Sequence, residues 1–76
     1  NPNTGQFTVR FQTIAGQPAT LRLSDVSGRA VRPAQTIAGT GQVHQEAITL
    51  PAQIRGLLLL EVVSGGQRGT QKVLIE

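Results

Sequence analysis

Gly56-Leu57-Leu58-Leu59-Leu60-Glu61-Val62-Val63-Ser64-Gly65-Gly66-Gln67-Arg68-Gly69-Thr70-Gln71-Lys72-Val73-Leu74-Ile75 is the stretch that decides the fold. At its centre Gly65-Gly66 is the two-residue signature of a primed hairpin turn, where both positions favour a positive φ that glycine adopts without a steric penalty. Two strands, 57–64 and 67–75, are therefore expected side by side, with Ser64 opposite Gln67. Counting outwards at period two puts Leu58, Leu60 and Val62 on one face with Gly69 and Val73, and Glu61 on the other with Arg68, Thr70 and Lys72. One face is apolar and the other wet. Gln71 falls on the apolar side, which places it at the rim or slips the register by one.

Before this hairpin, Pro51-Ala52-Gln53 turns the chain and Ile54 tucks beneath it. Residues 43–50 read as a strand with imperfect alternation, Val43, Gln45 and Ala47 against His44, Glu46, Ile48 and Leu50, and a bulge near Glu46 or Ala47 would reconcile its halves. Ala38-Gly39-Thr40-Gly41 reads as a flexible loop. Ala19, Leu21 and Leu23 alternate with Thr20, Arg22 and Ser24 as another half-buried strand, and Asp25-Val26-Ser27-Gly28 turns it into a hairpin with residues 29–32 around Val31. Pro33 lacks an N–H for a ladder, so that partner strand ends there or runs along an edge. At the N-terminus, Asn1-Pro2-Asn3-Thr4-Gly5 gathers turn formers ahead of a strand in which Phe7, Val9 and Phe11 face inward.

The composition agrees. Of 76 residues, 20 are Val, Ile or Thr and only four are Lys or Glu, so local preference favours strands over helices. Six to seven short strands with no credible helix point to a single all-β domain over residues 1–76, an immunoglobulin-like antiparallel β-sandwich. The absence of cysteine removes disulfides, thiolate-bound zinc and a thiol nucleophile. The longest apolar run, Leu57 to Leu60, is cut by Glu61 and is far short of the roughly 18 residues of a membrane helix, so no direct membrane insertion is expected. The net charge of +3 reflects scarce acids in a chain only 14% charged, and is not read as a nucleic-acid patch. The chain opens on Asn1 and carries no signal-peptide pattern at its start, which reads as a piece of something longer.

Candidate chemistry is thin. His44 is the single histidine, its carboxylate neighbours are scattered, and a solvated strand position suits it better than a metal site. Ser24, Ser27 and Ser64 lack a nucleophile-elbow motif, and Asp25, Glu46, Glu61 and Glu76 are spread along the chain. Gly28, Gly65 and Gly66 are turn devices with no helix pattern behind them to hold phosphate. Phe7 and Phe11 belong to the core, and no Trp or Tyr offers a sugar platform. The cations Arg10, Arg22, Arg29, Arg32, Arg55, Arg68 and Lys72 are distributed as on a solvated sheet face, with a docking patch left open. The expectation is no catalytic residue, no cofactor and no metal. Weak self-association is expected if a poorly charged edge strand, such as one containing Leu57 to Leu60, is uncovered.

The order of landmarks is more specific than any one of them. Pro2, Asn3 and Gly5 precede the alternating Phe7-Thr8-Val9; Leu21-Arg22-Leu23-Ser24-Asp25-Val26-Ser27-Gly28-Arg29-Ala30-Val31 follows; then come Gly56-Leu57-Leu58-Leu59-Leu60-Glu61-Val62 and the terminal Lys72-Val73-Leu74-Ile75-Glu76. Over essentially its whole length the chain resembles the C-terminal sorting domain of the Bacteroidetes type IX secretion system, type A family. It departs from the family pattern at Thr4, where Pro is usual, and at Leu58, where Tyr is usual. The resemblance implies an address rather than a catalyst. Its motif residues would be Pro2, Asn3, Gly5, Asp25, Gly28, Gly56, Leu58, Lys72, Val73, Leu74, Ile75 and Glu76. The implied partners are an N-terminal cargo domain, the type IX translocon, and its shuttle or sortase-like peptidase components. The implied route runs through the periplasm to the cell surface or medium, with peptidase cleavage at or before Asn1 and attachment of the cargo to the surface. The competing expectation is an accessory sandwich that spaces its neighbours or binds a protein or glycan.

Overall fold

The computed structural model describes the backbone of Pro2–Asn3 and all of residues 5–76. Asn1 and Thr4, which belong to the expected N-terminal turn, lie outside the described residues, as does the expected cleavage point at or before Asn1. The strands are β1 (Pro2–Asn3), β2 (Gln6–Gln12), β3 (Ala19–Asp25), β4 (Gln35–Ile37), β5 (Val43–Thr49), β6 (Gly56–Ser64) and β7 (Gln67–Ile75). A five-stranded sheet of order β1-β7-β6-β3-β4 faces a two-stranded sheet of β2 and β5. With β7, β6 and β3 in the places of strands G, F and C, and β2 and β5 in those of B and E, the order is that of an immunoglobulin-like sandwich.

The β6–β7 register is the one read from the turn. Ser64 pairs with Gln67, Leu58 with Val73 and Glu61 with Thr70, around Gly65 and Gly66 at φ 56° and 80°. Gln71 pairs with Leu60 without any slip. It stays exposed because the small sheet, only two strands wide, leaves it uncovered. Both sheets contribute to one aliphatic core: Val9 and Ile48 from the small sheet, and Ala19, Leu21, Leu23, Ile37, Leu58, Leu60, Val73 and Ile75 from the large one. Phe7, Phe11, Val31, Ile54 and Val62 pack half-buried against it.

Several expectations need correction. Pro2 and Asn3 form a short strand parallel to Leu74 and Ile75, not a turn, so the large sheet contains one parallel pair. Strand β5 has no bulge, since it pairs with β2 in an unbroken register from Gln6↔Thr49 to Gln12↔Val43. Its imperfect alternation arises because His44 and Glu46 share the inward side with Ile48. His44 is accordingly a half-buried strand residue rather than a freely solvated one: its ring lies 5.5 Å from that of Phe11, and its Nε2 is 2.9 Å from Glu46 Oε1. The hairpin after β3 starts, with Val31 N–H donating to Leu23 O at 2.9 Å, but it stops before Pro33. The chain then re-enters the sheet as β4, beside Ala19, Thr20 and Leu21. Strand β6 lies between β3 and β7, so Leu57 to Leu60 is not an edge and offers no route to self-association by strand pairing.

The loop at residues 38–41 is tethered. Buried Thr13 donates its hydroxyl to Gln42 O at 2.6 Å and accepts the N–H of Gly41 at 3.1 Å, while Gly16 N–H donates to Gly39 O at 3.1 Å. A Cβ at Gly39 would collide with the backbone carbonyl oxygens of Ile14 and Gln17, which have no rotamer by which to retreat. Gly39→Ala is therefore expected to cost about 1–3 kcal/mol as an overpacking change. Gly69→Ala, where no atom lies within 4 Å of the added carbon, should leave stability nearly unchanged. Urea unfolding of the two variants checks the contrast.

Candidate recognition surface

The order β7-β6-β3 brings together residues of the expected motif that are far apart in sequence. Asp25 pairs with Leu58, which pairs with Val73. On the next rungs Leu57, Leu74 and Pro2 lie in line, followed by Gly56, Ile75 and Asn3. Lys72 sits one rung inward beside Leu59, Glu76 follows β7, and Gly28 lies in the turn that leaves Asp25. Gly5 is the exception. It is buried where the chain enters the small sheet, and its carbonyl accepts the Leu50 N–H at 2.8 Å.

Many of these residues build the end of the sheet. Leu58, Val73 and Ile75 point into the core. Asp25 acts as a template for its turn: Oδ1 accepts the Ser27 N–H at 3.0 Å, the Ser27 hydroxyl at 2.6 Å and the Arg29 N–H at 3.0 Å. Arg29 Nε lies 3.4 Å from Oδ2, and Gly28 takes the positive φ of 90° that completes the turn. The residues displayed outward are only partly the same ones. Leu57, Leu59 and Leu74 are 42%, 40% and 40% exposed on the outer face, with exposed Lys72 next to Leu59. The outer face is thus not wholly wet; one end of it is a leucine patch. In sequence Leu57 and Leu59 stand out only as part of an apolar run and a candidate edge, although the hairpin register puts them on the face of Glu61 rather than with the core. Farther along this face Glu61 lies between Arg68 at 3.3 Å and Arg22 at 4.0 Å, a cross-strand ion row.

Two carboxyls titrate lower in the fold than in an unfolded chain. The Ser27 hydroxyl, then the Arg29 and Ser27 N–H groups and the Arg29 charge, hold Asp25 below its ordinary 3.8. The His44 ring, then the Gln35 side chain, aided by the charges of His44 and Arg32, hold Glu46 below its ordinary 4.5. Because the unfolded chain binds protons more readily at both groups, their contribution is complete above the unfolded values and is lost as pH falls through the lower folded values. The melting temperature is expected to be level in this respect above about pH 5 and to fall in the acid range, with a shallower fall in Asp25→Asn. Melts across pH 2–7 test this, and an unchanged acid slope in Asp25→Asn would remove Asp25 from the account. Gln35 is in turn held by Arg32, whose Nη2 donates to Gln35 Oε1 at 3.3 Å.

Among the described residues no three His, Asp or Glu side chains gather to hold a metal ion. Comparison with curated proteins and with solved structures gives no significant match. Comparison with family models gives a match over residues 1–76 to the secretion system C-terminal sorting domain. With the whole chain covered and an all-β sandwich in place, the chain belongs to the family of type IX secretion-system C-terminal sorting domains.

Proposed function

We infer that the domain is read as a folded address. It follows a cargo domain in the parent polypeptide and presents the β1-β7-β6 end of its large sheet to the secretion machinery, with Leu57, Leu59, Leu74 and Lys72 as the contact surface. The observation that carries this reading is the convergence of Pro2, Asn3, Asp25, Gly56, Leu58, Val73, Leu74 and Ile75 on three neighbouring rungs. A linear signal needs no such convergence, and buried Leu58, Val73 and Ile75 are available to a receptor only through the surface they support. The cargo passes through the periplasm, and after translocation a sortase-like peptidase removes the domain and joins the cargo to the cell surface. The domain itself supplies no catalytic group.

The test is a fusion of residues 1–76 behind a periplasmic reporter in a bacterium that has this secretion system. The reporter is expected at the surface or in the medium, shortened by the mass of the domain. Leu57→Ser/Leu74→Ser is expected to keep its thermal transition and lose export. Retention of the wild-type fusion, while a proven sorting domain exports the same reporter, would favour the accessory-module reading instead.

A further inference from the structure

The two edges of the large sheet differ. The β4 edge ends in a strand of three residues, whereas β7 is nine residues long and is covered by β1 only at Leu74 and Ile75. Among the described residues, no strand pairs with the remainder of that edge, residues 67–73. The hairpin decides which backbone groups face outward. A two-residue turn makes Ser64 and Gln67 a hydrogen-bonded pair, and in an antiparallel ladder such pairs alternate. Gly69, Gln71 and Val73 therefore exchange their groups with β6, and Arg68, Thr70 and Lys72 aim theirs at the open edge. Leu74, next in this alternating series, is the residue that β1 meets.

Side chains on this edge are sorted as well. Arg68, Thr70 and Lys72 share the outer face, while Gly69, Gln71 and Val73 share the inner one. Beneath the inner ones lies an open groove of about 190 Å³ between the sheets, lined by Val9, Phe11, Leu60, Val62, Gly69 and Gln71 among others. A strand added here would drop alternate apolar side chains toward that groove and set its other side chains beside two cations. The geometry points to an extended segment of alternating apolar and acidic residues, belonging to a protein of the secretion machinery, that adds to β7 along Arg68, Thr70 and Lys72. This rests on the sorting reading above and specifies how the partner attaches. A second copy of the chain is the poorer occupant: antiparallel pairing of two β7 strands about Thr70 sets Arg68 opposite Lys72, and like charges directly opposite repel. The same cations that guard the edge against self-pairing select for an acidic strand. Glu61 already engages Arg68 at 3.3 Å, so Lys72 is the stronger determinant.

Two variants test the inference in the fusion assay. Thr70→Pro removes one outward N–H and leaves the groups that pair with β6, because proline is tolerated on an edge. Arg68→Glu/Lys72→Glu keeps the backbone and reverses the selecting charge. Both are expected to melt cooperatively and to lose export; if Thr70→Pro does not fold, the charge-reversal variant decides. Normal export of a folded variant, with the wild type also exported, overturns the edge inference and leaves the sorting reading intact, whereas failure of the wild type sinks the sorting reading. In solution, a capped peptide of alternating valine and glutamate should slow amide exchange at Arg68, Thr70 and Lys72 about tenfold or more, and a valine–lysine peptide should not. Equal protection by both peptides, or protection confined to β4, also overturns it.

Discussion

Replacing Leu58 with alanine is expected to cost about 2–5 kcal/mol, against a total stability of about 4–11 kcal/mol for a domain of 76 residues. The side chain is 1% exposed, between Asp25 on β3 and Val73 on β7, and it packs in the single core formed by both sheets. A truncation here leaves a cavity whose lining consists of side chains fixed by strand pairing on both sides, so little collapse is available to relieve it. The neighbouring leucines provide the control. Leu57→Ala and Leu59→Ala remove side chains that are about two-fifths exposed, and each should cost well under half as much, about 1 kcal/mol. Four consecutive leucines that look alike in sequence should thus alternate small, large, small, large in a urea-unfolding series through Leu60. A flat series would contradict the register itself. In the export assay the order should partly invert, with Leu57 and Leu59 substitutions losing sorting while the fold persists.

That alternation was legible from sequence because a two-residue glycine turn favours one pairing, and only Gln71, a polar residue on the apolar side, left a one-residue slip open. The strand at 19–25 was legible for a similar reason, having three apolar residues at period two. Legibility failed where tertiary structure overrode local pattern. His44 and Glu46 broke the apolar alternation of β5 and suggested a bulge, yet they sit inward because they bind each other and because Phe11 and Gln35 receive them. Nothing in the identity of Thr13 announces that its hydroxyl will tether a loop 27 to 29 residues away. Pro2 and Asn3 of β1 read locally as a turn because Pro and Asn favour turns, and two residues carry no period from which to read a strand. The proposed contact surface was only half visible: the expected motif includes Leu74 and Lys72 but not Leu57 or Leu59, and the convergence of the motif positions needs β3 beside β6, a pairing of strands that are not consecutive and that no local signal specifies.

Deleting Lys72, Val73, Leu74, Ile75 and Glu76 should abolish export, and the reason can be divided experimentally. The deletion removes the partners of Gly56, Leu57, Leu58 and Leu59, the whole pairing of β1, and two buried side chains, so loss of the cooperative thermal transition is expected as well. Export lost in that variant says only that the fold is required. Ile75→Ala, which truncates a side chain 3% exposed, should lower stability by about 2–5 kcal/mol and reduce export in proportion to the unfolded fraction. Lys72→Ala/Leu74→Ser alters outward positions on the same strand; truncating Leu74, two-fifths exposed like Leu57, should cost about 1 kcal/mol, a fall of about 4–8 °C in melting temperature that leaves the transition cooperative. If this variant melts cooperatively and is not exported, the outward side of β7 is itself the address. If export instead tracks stability through the whole series, the machinery reads only that the sandwich is folded, and the leucine patch has no recognition role.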